Sequence, residues 1–231
     1  MGFCTNIDDV KGEEITPGVV KRVLMKPSQK GRGPPGKLTV THYTLTQGGV
    51  LTLNEPGVEY QDYIVSGTSL WGKRYLHANT TIFAPSESKH TYTHAGESDL
   101  RIVSHSYSVP HPSHKWCKTR IAQLIDPNEQ QLMTEEFHAL VGAQRFHALD
   151  VQTWDRPEHS NPEETAYFMR GNGEMLSGDK WYKVRPGSLI YVEEGASHAV
   201  RSTNPDVPLH YYVMEYVEQD KMWSQRGYQG K

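Results

Sequence analysis

Short β-rich runs, each closed by turn residues, recur along the whole chain. Residues 40–45 read Val-Thr-His-Tyr-Thr-Leu and are followed by Gln47-Gly48-Gly49, a strand and then a turn. Residues 60–65, Thr80–Ala84, 100–107, 165–170, Ser188–Val192 and Leu209–Val217 read the same way, with Gly67 and Gly171–Gly173 as punctuation. Residues 26–37, rich in Pro, Gly and Lys, read as an exposed loop. One stretch departs from this period. Asp126-Pro127-Asn128-Glu129 supplies an N-cap, a proline at the first helical position and a glutamate three residues after the cap. Leu132, Met133, Phe137, Leu140 and Val141 then fall at helical spacing, and Gly142 supplies a stop. A single helix is expected there, between two β-rich halves.

Composition agrees with many short strands and tight turns: 13 Tyr, 20 Gly and 14 Pro are spread through 231 residues. That length can bury a full core as one large domain or two small ones. A net charge of −3 gives no electrostatic reason to expect nucleic acid or an anionic membrane as partner. No run of about 18 apolar residues is present, so no transmembrane helix is expected. The start, Met-Gly-Phe-Cys-Thr-Asn, lacks the basic and apolar regions of a signal peptide, and Asn6 stands where myristoylation would want Ser or Thr. With Cys4 and Cys117 as the two cysteines, neither a disulfide framework nor a Cys-rich zinc module is expected. The expectation is a soluble, cytoplasmic protein.

The two halves also resemble each other. In the second, His159-Ser-Asn-Pro-Glu-Glu164-Thr-Ala-Tyr-Phe-Met-Arg-Gly171 leads through a hairpin to Pro186-Gly187-Ser-Leu-Ile-Tyr-Val-Glu-Glu-Gly195-Ala-Ser-His198. In the first, Glu55-Pro-Gly-Val-Glu-Tyr60-Gln-Asp-Tyr-Ile-Val-Ser-Gly67 leads to Asn79-Thr-Thr-Ile-Phe-Ala-Pro85-Ser-Glu-Ser-Lys-His90. Gly67 matches Gly171, His90 matches His198, Phe83 matches Tyr191, and Glu55 takes the place of His159.

The second half resembles the cupin superfamily. Its first motif runs Gly, five residues, His-x-His, three or four residues, Glu, six residues, Gly; its second runs Gly, five residues, Pro-x-Gly, two residues, His, three residues, Asn. His159, Glu164 and Gly171 fit the first motif, while Pro157 occupies the place of its first His. Gly187, Gly195 and His198 fit the second, with Glu193 in place of Pro and Ser202 in place of Asn. The resemblance covers roughly residues 40–107 and 146–217. It implies an all-β chain of two tandem cupin barrels (double-stranded β-helix or jelly roll) joined by a short helical linker. Residues 1–118 form the N-terminal barrel in this reading, 119–145 the linker and 146–231 the C-terminal barrel.

The resemblance also implies chemistry. Two imidazoles and a carboxylate, His159, Glu164 and His198, make the donor set of non-haem iron and catalytic zinc sites, with positions left open. One divalent transition metal, Fe, Mn, Zn or Ni, is the expected cofactor. Glu163 is the alternative carboxylate, and Glu163, Tyr191 and His210 are the candidate catalytic groups beside the metal. His210 is also a candidate fourth ligand or outer partner. Ala166, Phe168, Tyr191, Tyr212, Met214 and Tyr216 are expected to line the pocket, with Arg170, Arg201, Glu193 and Glu215 supplying charge. In the first barrel, Leu53, Glu55 and Tyr60 stand where two His and the Glu would be, so that barrel is read as metal-poor. A site built on Glu55 and His90, with His94 or His105 helping, is the alternative. His105, His111 and His114 are read as a Pro-rich loop, and Cys117 as a buried or linker residue.

Two function classes stand. The first is a metalloenzyme acting on a small polar organic molecule, by dioxygen chemistry with iron or by Lewis-acid lyase, isomerase or hydrolase chemistry with other metals. Two-barrel cupins of this size include ureidoglycine aminohydrolases, oxalate decarboxylases, pirins, quercetin dioxygenases, and isomerases and hydrazine-forming cupins of specialised metabolism. The second class is a non-enzymatic small-molecule binder or scaffold. A homodimer is the default partner implied by the resemblance.

Overall fold

Alternation of inward and outward side chains generates almost the whole architecture. The structure, a computed structural model, describes residues 2–26, 38–108, 118–123, 143–151, 158–160, 163–204, 206–207 and 209–217; for 143–151, 159–160, 163 and 215–217 it describes the backbone. Chain order begins with β1 (Phe3–Asn6) and a 3-10 turn at Ile7–Asp9. There follow β2 (Glu13–Thr16), β3 (Val19–Met25), β4 (Leu38–Leu45), β5 (Val50–Leu53), β6 (Val58–Ser66) and β7 (Thr68–Trp71). Then come β8 (Arg74–His77), β9 (Thr80–Ala84), β10 (His90–His94), β11 (Leu100–Ser108) and β12 (Arg120–Gln123). The second half holds β13 (Ala143–Val151), β14 (His159–Ser160), β15 (Glu163–Arg170), β16 (Gly173–Ser177), β17 (Lys180–Val184), β18 (Ser188–Val192), β19 (Ser197–Ser202) and β20 (Leu209–Val217).

These strands make two compact units, one of residues 7–125 and one of residues 1–6 with 126–231. The first unit has sheets ordered β12-β9-β6-β11-β4-β3-β2 and β5-β10-β7-β8. The second has β1-β18-β15-β20-β13 and β14-β19-β16-β17. Each closes on its own core. In the first, Val19, Tyr43, Leu45, Tyr60, Ile64, Ile82, Tyr92 and Ile102 pack together. In the second, Ala166, Phe168, Met175, Ile190, Val192, Val200 and Tyr211 do so. The fold is all-β, two barrels in tandem, as the resemblance implied.

The division differs from the sequence-based boundaries at two places, and hydrogen bonding is the reason for both. β1 pairs with β18, Phe3 opposite Tyr191 and Asn6 opposite Ser188, so the chain's first residues belong to the second unit. The Asn6 side-chain amide donates to Pro186 O at 3.2 Å and to Ser188 Oγ at 3.0 Å, and Tyr182 donates to Gly2 O at 2.6 Å. β12 pairs with β9 and extends the first unit into the stretch read as linker. The helix expected at 126–141, most of the loop at 26–37, His111, His114 and Cys117 lie outside the described residues. No helix among the described residues is long and apolar enough to cross a membrane.

Gly67 and Gly171, matched between the halves in sequence, both adopt left-handed backbone, φ 81° and 79°. A Cβ on Gly67 would meet Asp99 O at 2.6 Å and Leu100 Cα at 2.7 Å, backbone atoms that cannot swing aside. Gly48 has the same φ of 81° with nothing within 4 Å. Gly67→Ala is therefore expected to cost more than about 2 kcal/mol, and Gly48→Ala only about 1 kcal/mol of backbone strain. Urea unfolding of the two variants checks the contrast.

Candidate functional site: the interior of the second barrel

β15 brings Glu164 onto the face that carries Ala166 and Phe168, and these two residues belong to the barrel core. β19 likewise turns His198 to the side of Val200. Glu164 and His198 are each 2% exposed. His198 Nε2 lies 3.1 Å from Glu164 Oε1, and its Nδ1 lies 3.1 Å from Ala196 O. A carbonyl oxygen only accepts, so Nδ1 carries the proton and Nε2 is the nitrogen turned to the carboxylate. Backbone pairing of β14 with β19 sets residue 159 directly opposite 198. Among the described residues no group of three His, Cys, Asp or Glu forms a metal-ligand cluster. The His159 side chain falls outside that description. Donor chemistry therefore fits a divalent ion at the imidazole–carboxylate pair.

The other predicted groups separate by face. In β18 the core side chains are Ile190 and Val192, so Tyr191, between them, points to the opposite face, where it is buried. In β20 the core side chains are Leu209, Tyr211 and Val213. His210, Tyr212 and Met214 thus alternate to the other face of the strand. Ring stacking marks the two faces. Phe168 stacks on Tyr211 at 5.0 Å, and Tyr167 on Tyr212 at 5.6 Å. Glu163 pairs with Tyr216 through its backbone. Arg201 is turned outward, bonded to Glu174 and set 4.0 Å over the Trp181 ring.

The first barrel carries a polar centre that the motif comparison passed over. His90, the counterpart of His198, lies opposite Leu53, so register equates Leu53 with residue 159 and moves Glu55 off that position. Tyr60 stands where Glu164 does. Two residues further along the same face, Asp62 is wholly buried, and its Oδ2 takes hydrogen bonds from His90 Nε2 at 2.9 Å and Tyr92 O–H at 2.6 Å. His90 Nδ1 faces Ser88 O at 3.2 Å. Tyr60 and Tyr92 meet the His90 ring edge-on at 5.1 and 5.6 Å. Burial disfavours the His90 imidazolium, but the hydrogen bond and charge of Asp62, with the Ser88 carbonyl, override it and hold the His90 pKa above its ordinary value. Burial first, and the Glu55 and Asp62 charges after it, keep the Tyr43 and Tyr60 phenols above theirs, as neutral hydroxyls. Both His90 nitrogens are thus committed. The signal in the sequence was parity, since positions 60 and 62 of one strand share a face. His105, read as part of a loop, belongs to β11, where burial depresses its pKa to about 4.

Residues 146–215 match the cupin domain family Cupin_2. No curated protein matches the sequence. The fold is similar to that of protein Ylba from E. coli, family DUF861, at 16% identity over 92% of this chain and 90% of that one, with a TM-score of 0.71. It is also similar to the putative glyoxylate-induced protein from Pseudomonas aeruginosa, at 13% identity over 87% and 81% of the chains and a TM-score of 0.65. A mutant of oxalate decarboxylase OxdC from Bacillus subtilis gives 12% identity, 93% and 77% coverage and a TM-score of 0.67. At such identities the likeness concerns the fold alone. Residues 146–215 are thus a cupin domain, and the two-barrel fold is shared with these structures over most of the chain's length.

Proposed function

We propose that the second barrel is a metal-dependent active site for a small polar organic substrate, with a divalent transition metal held by Glu164, His198 and His159. The observation that carries this reading is the buried pair itself: an imidazole fixed through Nδ1 so that Nε2 meets a carboxylate oxygen at 3.1 Å. An ordered outer partner of this kind orients a ligating histidine and selects its tautomer. A metal there would supply Lewis-acid polarisation of a substrate oxygen or, if iron, a centre for dioxygen chemistry. The chain supplies the rest. Phe168, Val192 and Tyr211 belong to the apolar core on the Glu164 face, and that setting strengthens electrostatic interactions at the pair. Elemental analysis after reconstitution with Fe, Mn, Zn or Ni, one at a time, tests the reading. Near-stoichiometric metal in the wild type, lost in the His159→Ala/His198→Ala double variant, is the expected result. A wild type that takes up none of the four would sink the metalloenzyme and favour a binding or scaffold role.

A further inference from the structure

Outside the barrel interiors, the first unit bears a cleft of about 450 Å³ lined by Ile7, Asp8, Val10, Val20, Arg22, Thr44, Asp99 and Arg101. Its floor is one face of the seven-stranded sheet. Val19, Tyr43, Leu45 and Ile102 point into the core, so Val20, Thr44 and Arg101, which pair across β3, β4 and β11, lie on the opposite face. Arg22 and His42 form the next row of that face. His42 is 1% exposed. Burial first, then the Arg101 and Arg22 charges, hold it neutral, with a pKa lowered to about 3. Arg22, Arg101 and this buried imidazole thus share one sheet face, with Arg22 directly opposite His42 in register.

Neither guanidinium forms an ion pair or side-chain hydrogen bond with a described residue. Asp8 and Asp99 line the same cleft. Like charges gathered in a concave site favour an anion that arrives from solution. A planar guanidinium fork matches a carboxylate through two parallel N–H···O bonds, and Thr44, opposite Arg101 in register, adds a hydroxyl to the lining. The Asp99 carboxylate in the same lining opposes a multiply charged ligand, which disfavours phosphate and nucleic acid. Ile7, Val10 and Val20 offer an apolar wall to a short aliphatic stem. The volume lies within the range of small-molecule pockets. We infer that this cleft binds a small monocarboxylate with a short apolar stem, clamped by Arg22 and Arg101. The inference uses no residue of the second barrel and stands or falls apart from the metal site.

Calorimetric titration of the full chain with butyrate tests it, against equal ionic strength of chloride and against inorganic phosphate. Saturable butyrate binding on the order of millimolar is expected, with phosphate weaker. Arg22→Gln and Arg101→Gln should each weaken butyrate by about tenfold, the loss of one charge-assisted fork. Arg101→Lys should weaken it less than Arg101→Gln, because it keeps the charge and loses the planar geometry. Absence of saturable binding in the wild type, or undiminished wild-type affinity in both glutamine variants, would overturn the site. Phosphate binding more tightly than butyrate would overturn the ligand class.

Discussion

Replacing His198 by alanine is expected to abolish stoichiometric metal binding and every activity that depends on it, while His90→Ala leaves metal content unchanged. The two histidines hold matched positions in the two barrels, and each turns Nδ1 to a carbonyl two residues earlier in the chain, Ala196 and Ser88. They differ in what Nε2 faces. His198 meets Glu164 at 3.1 Å, a second donor for a cation. His90 meets Asp62 Oδ2, an atom already accepting the Tyr92 hydroxyl, and a pKa held above its ordinary value favours its protonated form. A protonated imidazole has no lone pair for a metal. Removing an outer partner of a ligating histidine costs roughly 10–100-fold in metal affinity, and losing the ligand itself should exceed that. Competition against a chromogenic chelator, run on both variants, measures the difference. Equal loss from His90→Ala would place the site in the first barrel.

What the sequence made legible follows from local rules. Glycines at Gly67 and Gly171 announce left-handed turns, alternating runs announce strands, and the repeat of both announces two barrels. The Glu164–His198 pair was suggested by the cupin motifs that the second half resembles. Face assignment in β20 was not, for a physical reason. Leu209, Tyr211 and Val213 on one face, and Tyr212 and Met214 on the other, are all buried, so polarity alternation carries no sign of which side holds the site. A register shift between Phe168 and Arg170, beside His210, further uncouples motif counting from geometry. The pairing of β1 with β18 is likewise invisible in sequence, because strand periodicity specifies a face and never a partner across some 180 residues. Asp62 was hidden by the template. Matching Tyr60 to Glu164 reports no carboxylate, although the next inward position of the same strand supplies one.

Asp62→Ala is expected to be among the most destabilising single changes in the first barrel, by about 3–5 kcal/mol, because it leaves a buried imidazolium without its counter-charge. His90 is 3% exposed and Asp62 0%, so little solvent screening softens the loss. Tyr92, also 0% exposed, loses its acceptor in the same stroke. The pH dependence identifies the mechanism. Folding raises the His90 pKa, so the folded state binds this proton more tightly than the unfolded chain does. The pair's contribution is therefore full below the unfolded value near 6.5 and is lost as pH rises through the higher folded value. Urea midpoints of wild type and Asp62→Ala should then converge in alkaline buffer and stand furthest apart in mildly acid buffer. The double variant Asp62→Leu/His90→Phe, which replaces both charges by apolar groups, should unfold at higher urea than Asp62→Ala alone. A small penalty for Asp62→Ala that does not change with pH would mean that packing, and not the ion pair, holds this centre together. At the position that matches His198, the first barrel thus sets a histidine whose hydrogen bond to Asp62 favours a bound proton.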